Sequence, residues 1–226
     1  MNNLFSYISN YCERTAPGLL IEPLNLFSNA AFFLAAYNIQ RLARKKNFTN
    51  SRMRKMILIC YAIGIGSSLF HSFANVITII ADVVPIALFV VFALYVIMDD
   101  IFKFSSNACL VIASIFAAIA VSIYVFIKIP ALNGSEMYLG PWIIILIFSL
   151  FAKSSKCRYS SQLVIAALFF TASLIFRILD QTFCPVWPYG THFLWHILNG
   201  FTLLFVMRFY VLELAFESEN KYIMHR

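Results

Sequence analysis

KMILICYAIGIGSSLFHSFANVITIIADVVPIALFVVFALYVIM, residues 55–98, decides how this chain is read. It holds two apolar stretches, about 55–73 and 76–98, each long enough to cross about 30 Å of hydrocarbon as a helix. Each also carries groups that hydrocarbon penalises: Ser67 and His71 late in the first, Asp82 early in the second. An Asp inside a membrane helix costs about 2.5–3.5 kcal/mol on insertion scales, so it is expected to be paired and to face the bundle interior.

The same length criterion, applied outward, marks seven spans at about 23–42, 55–73, 76–98, 107–127, 138–152, 160–180 and 190–213. Composition agrees: of 226 residues, 62% are hydrophobic and only 12% charged, with a mean hydropathy of +0.82. A soluble domain carries roughly twice that charge. The expected fold is an all-α integral membrane protein, one seven-helix bundle over residues 1–226. The net charge of +7 is not read as a nucleic-acid footprint, because the basic residues sit between the apolar runs. Arg44, Lys45, Lys46, Arg52, Arg54 and Lys55 fill the first connection, Lys103 the third, and Lys153, Lys156 and Arg158 the fifth. The positive-inside rule then puts the N-terminus outside or lumenal and the C-terminus in the cytoplasm. The N-terminal MNNLFSYISNYCERTAPG lacks the pattern of a cleavable signal, so the first span is expected to direct insertion. The glycosylation pattern Asn47-Phe48-Thr49 falls on the cytoplasmic side and reads as chance. Cys60 and Cys109 lie in apolar runs and read as packing residues. A bacterial inner membrane and an ER or Golgi membrane both suit this pattern, and oligomeric state stays open.

In that topology the polar residues share one depth. Span two runs outward to Ser67 and His71, and span three returns inward past Asp82. Span seven opens with THFLWHILNG, residues 191–200, and span one with Glu22, Asn25, Ser28 and Asn29. At 1.5 Å per residue, the three histidines and Asp82 lie within roughly 10 Å of the outer boundary. His192 and His196 are one turn apart on one helix face, which is how a helix offers two nitrogens to one ion. With His71 they make the three-nitrogen set of an open catalytic zinc site, whose fourth position takes water. Asp82 then suits general-base work and Ser67 stabilisation of an oxyanion.

Blander readings compete. A single intramembrane His is usually a hydrogen-bonded packing residue, and Ser usually bonds its own i−4 carbonyl. It is the coincidence of five such groups at one depth that favours a site. Arg177 and Asp180 read as an i,i+3 structural pair. Glu213, Glu217 and Glu219 read as solvated after span seven, and His225 as solvated in the tail.

Taken together, these residues resemble the alkaline ceramidase family, within the superfamily that includes the adiponectin-type receptors. The resemblance rests on YCER at 11–14, EPLNLFSN at 22–29, GSSLFH at 66–71 followed by Asp82, and HFLWH at 192–196. It implies zinc on His71, His192 and His196, with Ser67 and Asp82 beside the reacting water. The implied reaction cleaves the amide of ceramides to a sphingoid base and a fatty acid. It also implies a calcium site, whose matching positions are Asn10, the Tyr11 carbonyl, Glu13, Thr15 and Glu22. Here the sequence departs from the family pattern. Asn10 stands for an acidic ligand, Thr15 for an Asn, and the stretch from Glu13 to Glu22 is shorter. Lower ligand charge predicts weaker calcium binding. Cys12 and Cys184 fall on the same outer side, where a disulfide is permitted, and the resemblance points the same way.

The expected function is therefore a zinc-dependent membrane amidohydrolase acting on a ceramide-like lipid, with no nucleic-acid partner. Two rivals remain: a receptor or regulator of the adiponectin-receptor type, and a proton-coupled transporter. The absence of a large extramembrane domain between spans weighs against the first. The placement of charged groups at one face rather than at the midplane weighs against the second.

Overall fold

Short polar side chains start several of the helices by accepting backbone N–H groups that have no intrahelical partner. Asn50 accepts from Met53 at 3.0 Å, Ser105 from Ala108 at 3.3 Å, and Asn75 forms a capping box with Thr78. The computed structural model describes residues 4–224, with side chains through Asn220; His225 lies outside the described residues. The helices are α1 Pro23–Ser28, α2 Ala30–Lys45, α3 Ser51–Phe73, α4 Val76–Asp100, α5 Ser106–Phe126, α6 Leu139–Ser154, α7 Ser161–Phe183 and α8 His192–Met224.

Among the described residues, six helices are long and apolar enough to cross a membrane: Ser51–Phe73, Val76–Asp100, Ser106–Phe126, Glu136–Ser154, Ser161–Phe183 and His192–Asn220. The first expected span is built differently, as α1 and α2 joined through Asn29, and α2 alone has only 16 residues. The cause is local. The Ser28 hydroxyl and the Asn29 amide both donate to the Asn25 carbonyl, at 2.9 and 3.1 Å. The Asn29 N–H turns to Leu26 O at 3.3 Å instead of that carbonyl. Such back-bonding competes with the regular ladder. Asn29 keeps helical dihedrals (φ −61°, ψ −16°), so the chain carries on in the helical sense. From Pro23 to Lys45 the pair extends about 34 Å at 1.5 Å per residue.

The helices pack as a ring. α4 lies on α3, α3 on α2, α2 on α8, α8 on α7 and α7 on α6, while α5 flanks α4. The 3₁₀ turn Glu136–Tyr138 touches both α5 and α6 and closes the circle. α8 carries much of the core, with Met207, Phe209, Tyr210 and Val211 fully buried. α5 is the outermost helix and buries only Cys109 and Ala113. Cys60 and Cys109 are buried free thiols. At the end away from the histidines, Arg52 bridges Asp99 and Asp100 at 2.5 and 2.6 Å, and the Tyr210 hydroxyl donates to Asp100.

Glu213 is not solvated as expected. It is buried and accepts the N–H groups of Arg158 and Tyr159 at 3.0 and 2.9 Å, which fixes the α6–α7 connection. Glu217 and Glu219 pair with Lys103 and Lys46 at 2.9 and 3.6 Å.

One close approach sets the register of α3 against α4. Pro85 lies inside α4 and has no N–H, so the Ala81 carbonyl four residues earlier loses its helical donor. That carbonyl faces Gly66 of α3, where an added Cβ would lie 1.9 Å from the Ala81 oxygen. The contact brings the next residue of each helix, Ser67 and Asp82, to the same level. Gly66→Ala must push backbone from backbone, an overpacking cost of about 1–3 kcal/mol or more. Its thermal midpoint in detergent should fall by several degrees. Gly140→Ala, whose Cβ would meet only the Phe116 ring at 3.2 Å, should stay far closer to wild type. A Gly66→Ala protein as stable as wild type would contradict the contact.

Candidate metal centre

The last turn of α3 and the first turns of α8 bring three imidazoles to one point. His71, His192 and His196 are 0%, 2% and 2% exposed, and one ring nitrogen from each lies within 4.8 Å of the others. Ring centroids are 4.6 to 5.3 Å apart. Asp82 of α4 is buried beside them and interacts with His71, Ser67 and Arg177. Ser67 lies one turn before His71 on α3 and is itself buried.

Each ring is held from behind. His71 Nδ1 bonds Glu22 Oε2 at 2.6 Å, and His196 Nδ1 bonds the Ser28 hydroxyl at 2.8 Å. Both contacts leave Nε2 for another partner. The Tyr11 ring stacks on His192 at 3.6 Å and 16°, forming a roof. Burial pushes the Tyr11 hydroxyl up from its ordinary value, so it stays neutral. His71 Nε2, His192 Nδ1 and Asp82 Oδ1 are buried and have no hydrogen-bond partner. Buried polar atoms without partners are rare, and here they cluster where three nitrogens converge. Neutral imidazoles are ligands of zinc, whose bonds to nitrogen are about 2.0–2.1 Å. The donor set fits that ion.

Two anchoring residues were not legible as such in the sequence. Arg177 and Asp180 do not pair; among the described residues neither has an ion-pair contact with the other. Asp180 instead caps α8. Its Oδ1 accepts from Thr191 and His192 backbone N–H at 2.7 and 2.9 Å, and its Oδ2 from Cys12 N–H at 2.9 Å. Gly190, with φ +62°, lets the chain pass: a Cβ there would meet Asp180 Oδ1 at 2.2 Å. Arg177 donates to the Asn133 carbonyl and the Ser135 hydroxyl, both at 2.9 Å. Its guanidinium also lies over the Tyr138, Trp195 and Tyr11 rings, at 5.1 to 5.9 Å. Both roles depend on partners distant in sequence, which the i,i+3 spacing does not reveal.

The N-terminal segment is fastened over this end of the bundle. Cys12 and Cys184 are joined by a disulfide, with their Cα atoms 5.5 Å apart. Ile8 N–H donates to the Ala74 carbonyl at 2.8 Å. Of the positions implied for calcium, Asn10 and Thr15 are exposed, and the Tyr11 carbonyl accepts the Arg14 N–H at 3.2 Å. Glu13 caps α1 through Leu24 and Asn25 N–H, at 2.7 and 2.9 Å. Burial pushes the Glu13 carboxyl up, and those two N–H groups oppose the shift. Glu22 binds the Arg14 guanidinium, Asn25 Nδ2 and His71.

Below the histidines lies an apolar pocket enclosing ≈ 840 Å³, its open mouth included. Phe89 and Ala93 of α4, Phe148 of α6 and Leu203 and Val206 of α8 line it. Phe32 and Trp195 border both the pocket and the histidine rings. Asn199 and Thr202 are among its few polar lining residues.

Residues 6–224 match the model of the family described as Ceramidase, nearly the whole chain. No curated protein sequence matches it. The chain belongs to the ceramidase family.

Two outcomes follow from these anchors. Alkylation of the denatured, unreduced protein should label only Cys60, Cys109 and Cys157; labelling of all five cysteines would contradict the bridge. Asp180→Ala strips three N–H groups of their acceptor, at about 1–3 kcal/mol for each left unsatisfied. It should lower the thermal midpoint more than any single surface substitution, and an unchanged midpoint would contradict the capping role.

Proposed function

We propose that this member of the ceramidase family is a zinc-dependent hydrolase that cleaves the amide of a ceramide-like lipid to a sphingoid base and a fatty acid. Family membership supports the reaction. The observation that carries the rest is the convergence of three buried imidazoles, two with partnerless nitrogens, directly above an apolar pocket.

In this reading α1 and α2 count as one span, giving seven. The Lys- and Arg-rich connections α2–α3 and α6–α7 lie at the end opposite the histidines, so the positive-inside rule turns the site toward the outer or lumenal leaflet. A lipid amide sits at that depth. The acyl chain enters the pocket lined by Phe89, Phe148 and Leu203.

His71, His192 and His196 would hold the zinc ion. When bound, it supplies Lewis acidity that polarises the amide carbonyl and makes water nucleophilic near neutral pH. Glu22 and Ser28, behind the rings, keep the imidazoles in one tautomer and orientation, as partners behind metal-binding histidines generally do. Asp82 Oδ1 takes a proton from the attacking water and returns it to the departing nitrogen. The Ser67 hydroxyl donates a hydrogen bond to the carbonyl oxygen as negative charge develops there. The C–N bond breaks, the water oxygen stays on the acyl carbon, and the protons finish on the amine. The Tyr11 roof and the disulfide keep bulk water from the reacting centre.

Purified full-length protein in lipid nanodiscs should carry about one zinc per chain and release fatty acid from ceramide. His196→Ala should lose both. Asp82→Asn should keep zinc and the thermal midpoint while turnover falls by about 10²–10⁴, the range for general acid–base groups. A zinc-free preparation that hydrolyses ceramide at the full rate would sink the proposal.

A further inference from the structure

Of the two acidic residues Glu13 and Glu22, Glu22 already has a cation. The Arg14 guanidinium and the Glu22 side chain are both 1% exposed and in direct contact. The other nitrogens of Arg14 reach the Gly18 carbonyl at 3.3 Å and the His71 carbonyl at 2.8 Å. One side chain thus ties the N-terminal segment, the mouth of α1 and the end of α3 together. It touches His71 twice, directly at its backbone and through Glu22 at its ring. We propose that Arg14 supplies from within the chain the positive charge that holds this segment over the metal centre, and that the pocket of Glu13 and Glu22 consequently takes no calcium.

Calcium needs six to eight oxygens at about 2.3–2.6 Å. The candidate oxygens are committed elsewhere. Glu22 Oε1 lies under the guanidinium, and Oε2 is shared by His71 and Asn25. Both Glu13 oxygens hold the start of α1, and the Tyr11 carbonyl holds Arg14 itself. Asn10 and Thr15 point to the exposed side of the segment. A divalent ion would also meet the positive charge of the Arg14 guanidinium at close range. The sequence departure at Asn10 fits this arrangement, because it leaves fewer anionic ligands for an ion. Arg14 is a positioning residue for His71. Only that role rests on the zinc reading; the exclusion of calcium stands on the contacts of Arg14, Glu13 and Glu22.

The test uses full-length protein in nanodiscs, prepared in calcium-depleted buffer with its zinc retained. Radioactive calcium is titrated to about 1 mM, the weak end of protein calcium sites, and thermal midpoints are read alongside. Wild type should bind no calcium and keep its midpoint. Arg14→Gln uncovers Glu22 Oε1 and leaves the buried carboxylate without its cation, so it should lose midpoint without calcium and regain part of it when calcium is added. Arg14→Gln should also give up zinc to a competing chelator about tenfold more readily, the usual effect of removing a group behind a metal ligand. Arg14→Lys keeps the charge but not the fork of contacts, so it should bind no calcium and recover part of the midpoint and of the zinc retention. One calcium per wild-type chain, abolished by Glu13→Gln, would overturn the proposal. So would an Arg14→Gln protein with wild-type stability and no calcium response. If Arg14→Gln fails to fold, the wild-type titration and Arg14→Lys still decide the matter.

Discussion

Polar groups buried at one end of an apolar bundle must satisfy one another, and in this protein the Glu22 carboxylate is the knot. It receives the His71 ring, the Asn25 amide and the Arg14 guanidinium at once. Through His71 it fixes one of three imidazoles; through Arg14 it fixes the segment whose Tyr11 roofs a second, His192. The third, His196, leans on Ser28, whose own back-bond to Asn25 belongs to the same polar stripe of α1. Loosening that stripe would disturb all three rings, because α1 packs on both α3 and α8 at this level.

The bundle contributes a second constraint, made of backbone rather than charge. A proline in α4 frees the Ala81 carbonyl, and a glycine in α3 admits it. Neither residue supplies a group to the site, yet together they set the height of Asp82 against Ser67 and His71. Hydrocarbon leaves such a freed carbonyl no partner, so it is tolerated where it faces the protein interior rather than lipid.

Much of this was legible in the sequence. Long apolar runs marked the helices, because hydrocarbon leaves little choice of structure. The shared depth of Ser67, His71, Asp82, His192 and His196 followed from helix rise alone, and the structure brings these residues together. What escaped was long-range. The pairing of Arg177 with Asn133 and Ser135, the capping of α8 by Asp180 and the burial of Glu213 each involve partners dozens of residues away or in a loop of unpredictable path. Nothing local in YCER shows that Arg14 turns inward to Glu22. The break at Asn29 is local but equally hidden: Asn25, Ser28 and Asn29 read as a polar stripe opening span one, and spacing does not show that two of their side chains bond one backbone carbonyl.

X-ray absorption at the zinc edge of the purified wild-type protein tests the central claim most directly. The account predicts a first shell containing three imidazole nitrogens at about 2.0–2.1 Å, falling to two in His71→Ala. A sulfur-containing shell, or a wild-type shell unchanged by His71→Ala, would contradict it.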